Sequence, residues 1–297
     1  MKPLTPEEQT FREGLVKHVN YLAVTIGERN IGIEYKALNA AADYLEGMLR
    51  GYGYTANSQK YLVGHYSVRN IEVQIKGSKY PDENLIVGGH YDSVVGTPGA
   101  NDNASGAAAV LEIARVLKDS KPERTIRFVL FVNEEPPYFQ NEDMGSLVYA
   151  KSLREQNVKV TAMFSLETIG YYSDERGSQK YPPGLSSLFP DTGNFIGFVS
   201  DASSCSLLRK SVKLFRESTD FPSEGVCAPE SIPGVGFSDH WSFWQVGYPG
   251  VMITDTAPFR YPYYHDRHDT PDKIDFDRTA RVVTGVNQVI LKLANGK

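Results

Sequence analysis

The chain has 297 residues, of which 36 are acidic and 31 basic, and its formal net charge is −5 at pH 7. The basic residues are scattered, which argues against a nucleic acid or an anionic membrane surface as the main partner. No segment approaches the roughly 18 continuous apolar residues of a membrane span, and a chain of this length suits one α/β domain.

The N-terminal part, to about residue 53, has helical periodicity. Apolar residues recur at spacings of three and four between Leu38 and Leu49, and Gly51 and Gly53 end the pattern. Next we predict two strands joined by a hairpin or loop, a turn, and a short apolar strand buried on both faces, which we place at residues 54–62, 68–75, 81–84 and 85–89.

From residue 85 onwards, strands and helices alternate. The further strands are predicted at residues 125–132, 160–166, 195–200 and 249–254. The helices are predicted at residues 104–118, 145–156, 203–217 and 275–294. This alternation predicts an α/β fold of three layers (α/β/α), with a central, mostly parallel twisted sheet covered on both faces. We expect one domain over residues 1–297, with the N-terminal helices packed on the α/β core and a long insertion at residues 171–191.

The cysteine content and the N-terminus bear on the compartment. Cys205 and Cys227 are the only cysteines; they could form one disulfide, but two free thiols are the commoner case in a chain of this size. Residues 1–8 lack the apolar core of a secretory signal. The expectation is a cytoplasmic protein if Met1 is the natural start, and a secreted or periplasmic one if a leader peptide has been removed.

Five short stretches carry acids and imidazoles, most of them at or soon after the end of an apolar run. Because ligands bind beyond the carboxyl ends of strands in open α/β sheets, we expect these side chains to converge at one cleft. The stretches are His90-Tyr91-Asp92, Asn101 to Gly106, Asn133-Glu134-Glu135, Leu166-Glu167-Thr168, and His265 with Asp269-Thr270 four positions later.

Each stretch has a plainer interpretation when it is taken alone. His90 could be an ordinary loop histidine, although Asp92 could accept one of its ring N–H groups and fix the tautomer, as is usual beside a metal. Asp102 could be a helix N-cap. Glu134 and Glu135 could form a solvated loop end, but two adjacent carboxylates after a buried strand are costly unless something neutralises them. One could bind a metal while the other accepts a proton from water.

Other catalytic chemistries find little support. The sequence has no HExxH, P-loop, GxGxxG or GxSxG motif. Ser238-Asp239-His240 contains triad residue types, but sequence neighbours seldom form a working triad, so we predict a structural role. Asn103-Ala104-Ser105 matches the N-glycosylation pattern, and we discount it because this loop would be buried at the metals.

The motifs GxxDNxSG, NEE and HxxxDT, in this order, resemble those of the M28 family zinc metallo-aminopeptidases related to bacterial leucyl aminopeptidase. The resemblance covers roughly residue 84 to the C-terminus and implies a mixed central sheet and two Zn²⁺ ions bridged by one aspartate and a water. Position by position, it implies that His90 and Glu167 hold one zinc, Glu135 and His265 hold the other, Asp102 bridges them, and Glu134 is the general base.

Two departures from the family pattern accompany this assignment. Many relatives have Asp where this chain has Glu167, and a tyrosine that helps to stabilise the oxyanion in some members is replaced by Val235. The oxyanion role is therefore unassigned from sequence. The family spacing favours His265 over His268 as the ligand in the last motif.

The resemblance implies an aminopeptidase whose partner is a peptide with a free N-terminus. The candidate catalytic residues are Glu134 and Asp92, and apolar walls of a side-chain pocket could come from Phe139, Met144, Phe237 and Phe243, each of which core packing explains equally well. Two alternatives stay open. One is a glutaminyl cyclase, whose corresponding segment resembles His90 to Ser93; the other is a non-catalytic binding domain of the same fold.

Overall fold

The computed structural model describes residues 2–296, which form a three-layer α/β/α arrangement around one mixed sheet. Its eight strands lie in the order β1-β2-β4-β3-β5-β8-β6-β7. In chain order they are β1 (Asn57–Val63), β2 (Tyr66–Ile75), β3 (Tyr80–His90), β4 (Arg124–Phe131), β5 (Lys159–Glu167), β6 (Ile196–Ser200), β7 (Ser223–Cys227) and β8 (Gly250–Thr254).

Seven α-helices of the described chain cover the two faces of this sheet. They are α1 (Pro6–Asn20), α2 (Tyr35–Gly51), α3 (Gly106–Leu117), α4 (Gly145–Glu155), α5 (Cys205–Arg216), α6 (His240–Gln245) and α7 (Phe276–Ala294). Helices α1, α2, α3, α5 and α7 contribute to the larger apolar core on one face, whereas α4 and α6 pack on the other. None of these helices combines the length and the apolar character that crossing a bilayer requires.

Successive residues of the central strands face opposite layers. On β3, Leu85 and Val87 belong to the larger core and Ile86 to the smaller one. A strand with both faces buried consists of consecutive apolar residues, and this composition allowed the strand at residues 85–89 to be predicted from the sequence. Strands β3, β4, β5 and β8 are mutually parallel, and β2 and β6 join them in antiparallel pairs, so the sheet is mixed and the predicted fold class is confirmed.

The structure corrects three predictions of local structure. Residues 81–84 were predicted as a turn but belong to β3, whose first residues are polar because that end of the strand is largely exposed. The strand β7 and the short helix α6 were not predicted. Strand β7 (SEGVC) contains too few apolar residues to show alternation, and α6 has only 6 residues.

The two cysteines are also corrected. Cys205 at the start of α5 and Cys227 at the end of β7 form a disulfide, so the expectation of two free thiols is wrong. The sequence could not show this pairing because β7, which brings Cys227 beside α5, was itself missed. Strand β7 pairs with β6 in parallel and packs against α5.

Candidate metal centre

The carboxyl ends of three adjacent parallel strands bring the predicted residues together. His90 is the last residue of β3 and Glu167 the last of β5, while Glu134 and Glu135 follow the end of β4 by a few residues. Strand β3 lies between β4 and β5 in the sheet, so its His90 is flanked by the acids of both neighbours. All four side chains are buried.

Asp102 reaches the same place from an irregular turn, Ala100–Ser105, that precedes α3. Its backbone N–H donates to Oδ2 of Asp269 at 3.0 Å, and the N–H of Asn101 donates to Oδ1 of Asp269 at 2.8 Å. The side-chain amide of Asn103 donates to the carbonyl of Leu166 at 2.8 Å, next to Glu167. These bonds bind the turn to the end of β5 and to the loop that carries His265. The buried position of Asn103 agrees with discounting its glycosylation pattern.

The ligand atoms form two groups that share Asp102. In the first group, Nε2 of His90 lies 3.4 Å from Oδ1 of Asp102 and 3.2 Å from Oε2 of Glu167. In the second, Nε2 of His265 lies 3.2 Å from Oδ2 of Asp102 and 3.2 Å from Oε2 of Glu135. Each group has the composition and spacing of residues that can hold a metal ion. Asp102 presents a different oxygen to each.

The donor set fits zinc. Zinc takes imidazole nitrogens and carboxylate oxygens at about 2.0–2.2 Å in tetrahedral sites, which places neighbouring ligand atoms about 3.3–3.5 Å apart, close to the spacings above. Moreover, neither ring nitrogen of the buried His90 has a hydrogen-bond partner within residues 2–296. A fully buried imidazole with two orphaned nitrogens is unusual unless a metal or solvent serves it.

The electrostatics point to the same need for cations. Burial raises the pKa of Glu135 to about 8, that of Glu167 to about 7, and that of Glu134 well above its ordinary value. Burial also opposes ionisation of Asp102, but the contacts of Asp102 with His265 and His90 outweigh it and lower its pKa. So many acids in one buried cluster need positive charge if all are to be ionised, and divalent cations supply it.

Asp92 links two of the strand ends. Its Oδ1 accepts a hydrogen bond from the backbone N–H of Glu134 at 3.2 Å, and its Oδ2 accepts one from that of Glu135 at 3.1 Å. Oδ1 also lies 3.4 Å from Nδ1 of His90. Asp92 therefore orients both glutamates through their backbone and faces the nitrogen of His90 that points away from Asp102 and Glu167.

The two histidines of the loop after β8 have different environments. His265 points into the cluster, whereas His268 contacts Asp266 through Nδ1 at 2.5 Å and has 57% of its side chain exposed. The ring of Tyr264 stacks on that of His265, with centroids 3.9 Å apart. Burial and the charges of Asp102 and Glu135 raise the pKa of Tyr264, so its hydroxyl keeps its proton at neutral pH.

An apolar cavity opens beside these ligand side chains, with Glu167 and Tyr264 among its lining residues. Its floor comes from β6, β7 and β8, and the inserted segment at residues 179–189 lines it with aromatic and aliphatic side chains. Phe237 lines this cavity, and Phe139 packs on Phe237 with ring centroids 5.8 Å apart. The other two candidate wall residues, Met144 and Phe243, are fully buried in the core instead.

The Ser238-Asp239-His240 stretch does not form a triad. Ser238 Oγ donates to Oε2 of Glu167 at 2.8 Å, and His240 Nε2 donates to the carbonyl of Val235 at 2.8 Å. Ser238 therefore orients a candidate metal ligand. Sequence reasoning missed this contact, the site-facing position of Tyr264 and the cavity, because each depends on loops whose paths the sequence does not reveal.

Comparison with known proteins identifies relatives along most of the chain. The family model described as peptidase family M28 matches residues 70–290. The uncharacterized protein YfbL of Escherichia coli K12 is 38% identical over 293 residues, covering 96% of this chain and 88% of YfbL. Aminopeptidase YwaD of Bacillus subtilis is 28% identical over 257 residues, covering 85% of this chain and 49% of YwaD. The chain thus spans about half the length of that relative.

Solved structures of similar fold include a zinc aminopeptidase and a cyclase. BSAP, a zinc aminopeptidase from Bacillus subtilis, superposes with a TM-score of 0.74 at 15% identity, covering 95% of both chains. A glutaminyl cyclase from Bacteroides thetaiotaomicron superposes with a TM-score of 0.68 at 19% identity, covering 94% of this chain and 97% of that one. At these identities the likeness establishes the fold alone.

Proposed function

Because the chain belongs to peptidase family M28, a family of peptide hydrolases, we propose that it is a zinc-dependent aminopeptidase that removes N-terminal residues from peptides. We assign two zinc ions to the cluster, one held by His90 and Glu167 and the other by Glu135 and His265, with Asp102 shared. The observation that carries this proposal is the placement of the two oxygens of Asp102, each facing a separate imidazole–carboxylate pair.

A bound pair of zinc ions supplies Lewis acidity, which lowers the pKa of a bound water to about 7 and polarises the scissile carbonyl. The side chain of Glu134 is the proton carrier in this proposal. Its Oε2 lies 3.7 Å from Nε2 of His90, at the edge of the first ligand group. It takes the proton of the attacking water and returns it to the leaving amine, as a general base and then a general acid.

Tyr264 fills the role that Val235 leaves unassigned. Its ring stacks on that of the candidate ligand His265, and it lines the cavity together with Glu167. Burial and the charges of Asp102 and Glu135 raise the pKa of Tyr264, so its hydroxyl is protonated at neutral pH. A phenolic O–H here can donate to the oxygen that becomes negative during attack on the carbonyl. This assigns Tyr264 as the oxyanion donor.

The surroundings of the ligand side chains support the removal of one terminal residue. Buried carboxylates provide acceptors for a free α-amino group, and the apolar cavity beside Glu167 receives the side chain of the first residue. The cavity lining is predominantly apolar and aromatic, so peptides with large apolar N-terminal residues are the substrates that it fits.

The test is a release assay with a leucyl chromogenic amide, with and without chelator, on the wild-type protein and on Glu134→Ala. We expect hydrolysis that depends on zinc, a fall in kcat of about 10²–10⁴-fold in Glu134→Ala, and unchanged zinc content in that variant. The matched control is Glu142→Ala, because Glu142 is largely exposed and pairs with Lys151 at the surface. Near-normal turnover by Glu134→Ala contradicts the base assignment, and absence of hydrolysis by the zinc-loaded wild type contradicts the proposed function.

A parallel assay with an N-terminal glutaminyl peptide addresses the cyclase alternative. The presence of a second complete ligand group, Asp102 with Glu135 and His265, favours hydrolysis. Cyclisation without hydrolysis would reverse this assignment.

A further inference from the structure

Arg29 is a fully buried arginine close to the candidate metal ligands. It lies between α1 and α2, and its side chain has 0% of its surface exposed. Burial lowers the pKa of Arg29 to about 10, with the charges of Asp92, Asp269 and Asp102 opposing this effect, so the guanidinium remains cationic at neutral pH. A buried arginine usually pairs with a carboxylate; this one has a different set of partners.

Every hydrogen bond that the guanidinium donates within the described chain ends on a backbone carbonyl. Residues 91–101, which we call the ligand loop, connect His90 to Asp102 and provide three of these acceptors: Tyr91, Pro98 and Gly99 at 2.7, 2.5 and 2.7 Å. The N-terminal segment provides the other two, the carbonyls of Leu22 and Gly27. The guanidinium therefore contacts the ligand loop at both ends.

The backbone of Arg29 adds two further bonds to the same loop. Its N–H donates to Oγ of Ser93 at 3.1 Å, and its carbonyl accepts from the N–H of Ser93 at 2.9 Å. Ser93 Oγ in turn donates to the carbonyl of Thr97 at 3.0 Å. The loop is tight at Gly99, which has a φ of +58° and where a Cβ would come within 2.5 Å of the carbonyl oxygen of Asp102.

We propose that Arg29 is a positioning residue for the metal centre, which holds the ligand loop so that His90 and Asp102 face each other before zinc binds. This inference rests on the proposed function, since it requires zinc at those two residues. A lysine cannot replace the guanidinium, because its single nitrogen cannot reach carbonyls on opposite sides of the planar fork. The positive charge of Arg29 also attracts the carboxylates of Asp92, Asp102 and Glu135, to which it donates no hydrogen bond, and so reduces their mutual repulsion.

The experiment compares zinc affinities by chelator competition for the wild type, Arg29→Lys and the control Arg127→Lys. Arg127 is a partly buried arginine that bonds Asn84 and Glu72, away from the ligand loop. Loss of outer contacts to metal ligands typically costs 10–100-fold in metal affinity. We expect a loss of this size in Arg29→Lys and wild-type affinity in Arg127→Lys. Zinc should also raise the Tm of Arg29→Lys by less than it raises that of the wild type, because more weakly bound zinc stabilises the folded state less.

A purely structural role for Arg29 predicts a different result. In that case Arg29→Lys lowers the Tm of the metal-free and the zinc-loaded protein equally, and the zinc affinity of the folded protein is unchanged, which overturns the inference. If Arg29→Lys does not fold, Ser93→Ala decides, since it removes one hydroxyl of the same network. Weaker zinc binding by Ser93→Ala supports the inference, and wild-type affinity overturns it.

The two proposals fail in distinguishable ways. If the wild-type protein binds no zinc, the proposed function fails and the role of Arg29 fails with it. If the wild type binds zinc and Arg29→Lys binds it equally well, only the positioning role is lost.

Discussion

Asp102 holds the central position among the side chains of the cluster, since each of its carboxylate oxygens faces a different histidine. The two imidazoles are far apart in the sequence, and the carboxylate of Asp102 lies between them in the fold. Substitution of one metal-binding side chain should therefore reduce the zinc content, whereas substitution of a nearby histidine outside the two ligand groups should not.

The first prediction separates His265 from His268. His265→Ala should lose zinc, because Nε2 of His265 completes the second ligand group, whereas His268→Ala should keep it, because His268 contacts Asp266 at the surface. Zinc-to-protein stoichiometry by elemental analysis is the measurement. Depletion in the His268 variant and not in the His265 variant would reverse the ligand assignment.

The second prediction concerns Tyr264. Tyr264→Phe keeps the ring that stacks on His265 and removes only the hydroxyl. If this hydroxyl donates to the developing oxyanion, kcat should fall about 10²–10³-fold, with little change in KM or zinc content. Steady-state kinetics on the leucyl amide give both constants. An unchanged kcat would show that Tyr264 packs on His265 without taking part in the reaction.

How far the sequence foretold these residues depended on what each contacts. Four candidate residues lie together because they end or follow adjacent parallel strands: His90, Glu134, Glu135 and Glu167. They were predictable because those strands are apolar runs in the sequence. Arg29 was missed because its hydrogen bonds go to backbone carbonyls. Every residue has a backbone carbonyl, so the sequence does not indicate which carbonyls Arg29 contacts. Contacts between two side chains can be predicted in part from their residue types, but contacts between a side chain and the backbone cannot.

At the scale of elements, the strands β3, β4, β5, β6 and β8 were predicted from the sequence, whereas the edge strand β7 and the short helix α6 were not. Central strands are buried on both faces, so their composition alone distinguishes them. Strand β7 is an edge strand with half-buried residues, and its pattern is weak. The same edge forms part of the cavity floor and carries Cys227.

The third prediction tests the cross-link at this edge. The disulfide joins Cys205 and Cys227, which are 22 residues apart. By closing a loop of this size it lowers the conformational entropy of the unfolded chain, so its loss should reduce the free energy of unfolding by about 3 kcal/mol. The double variant Cys205→Ser/Cys227→Ser should therefore unfold at lower denaturant concentration than the oxidised wild type. Chemical denaturation measures the free energy of unfolding, with the reduced wild type as control. An unchanged midpoint would mean that the bond contributes nothing to stability.

At the scale of the whole molecule, the fold buries several acids at one edge of its sheet and must balance their charge. In the metal-free protein this balance comes partly from protons. Burial raises the pKa of Glu135 to about 8. Burial lowers the pKa of His265, but Asp102 and Glu135 outweigh it and raise the value to about 10. At these two side chains the folded protein therefore binds more protons than the unfolded chain near neutral pH.

The fourth prediction follows from this difference in bound protons. Stability falls with rising pH wherever the folded state holds more protons than the unfolded state. Between pH 6.5 and 8 that condition applies to Glu135 and to His265, so the Tm of the metal-free protein should fall by several degrees across this window. Zinc replaces the protons, so the loaded protein should show a much smaller change. Thermal unfolding in chelator and in zinc measures both; a metal-free Tm that rises over the window would contradict the charge balance described here.

The most direct measurement is a crystal structure of the zinc-loaded protein with anomalous diffraction recorded on both sides of the zinc absorption edge. We predict two anomalous peaks, one between His90, Asp102 and Glu167 and the other between Asp102, Glu135 and His265, each within about 2.0–2.2 Å of its ligand atoms. A single peak, or peaks that lie away from Asp102, would contradict the two-zinc centre on which the proposed aminopeptidase depends.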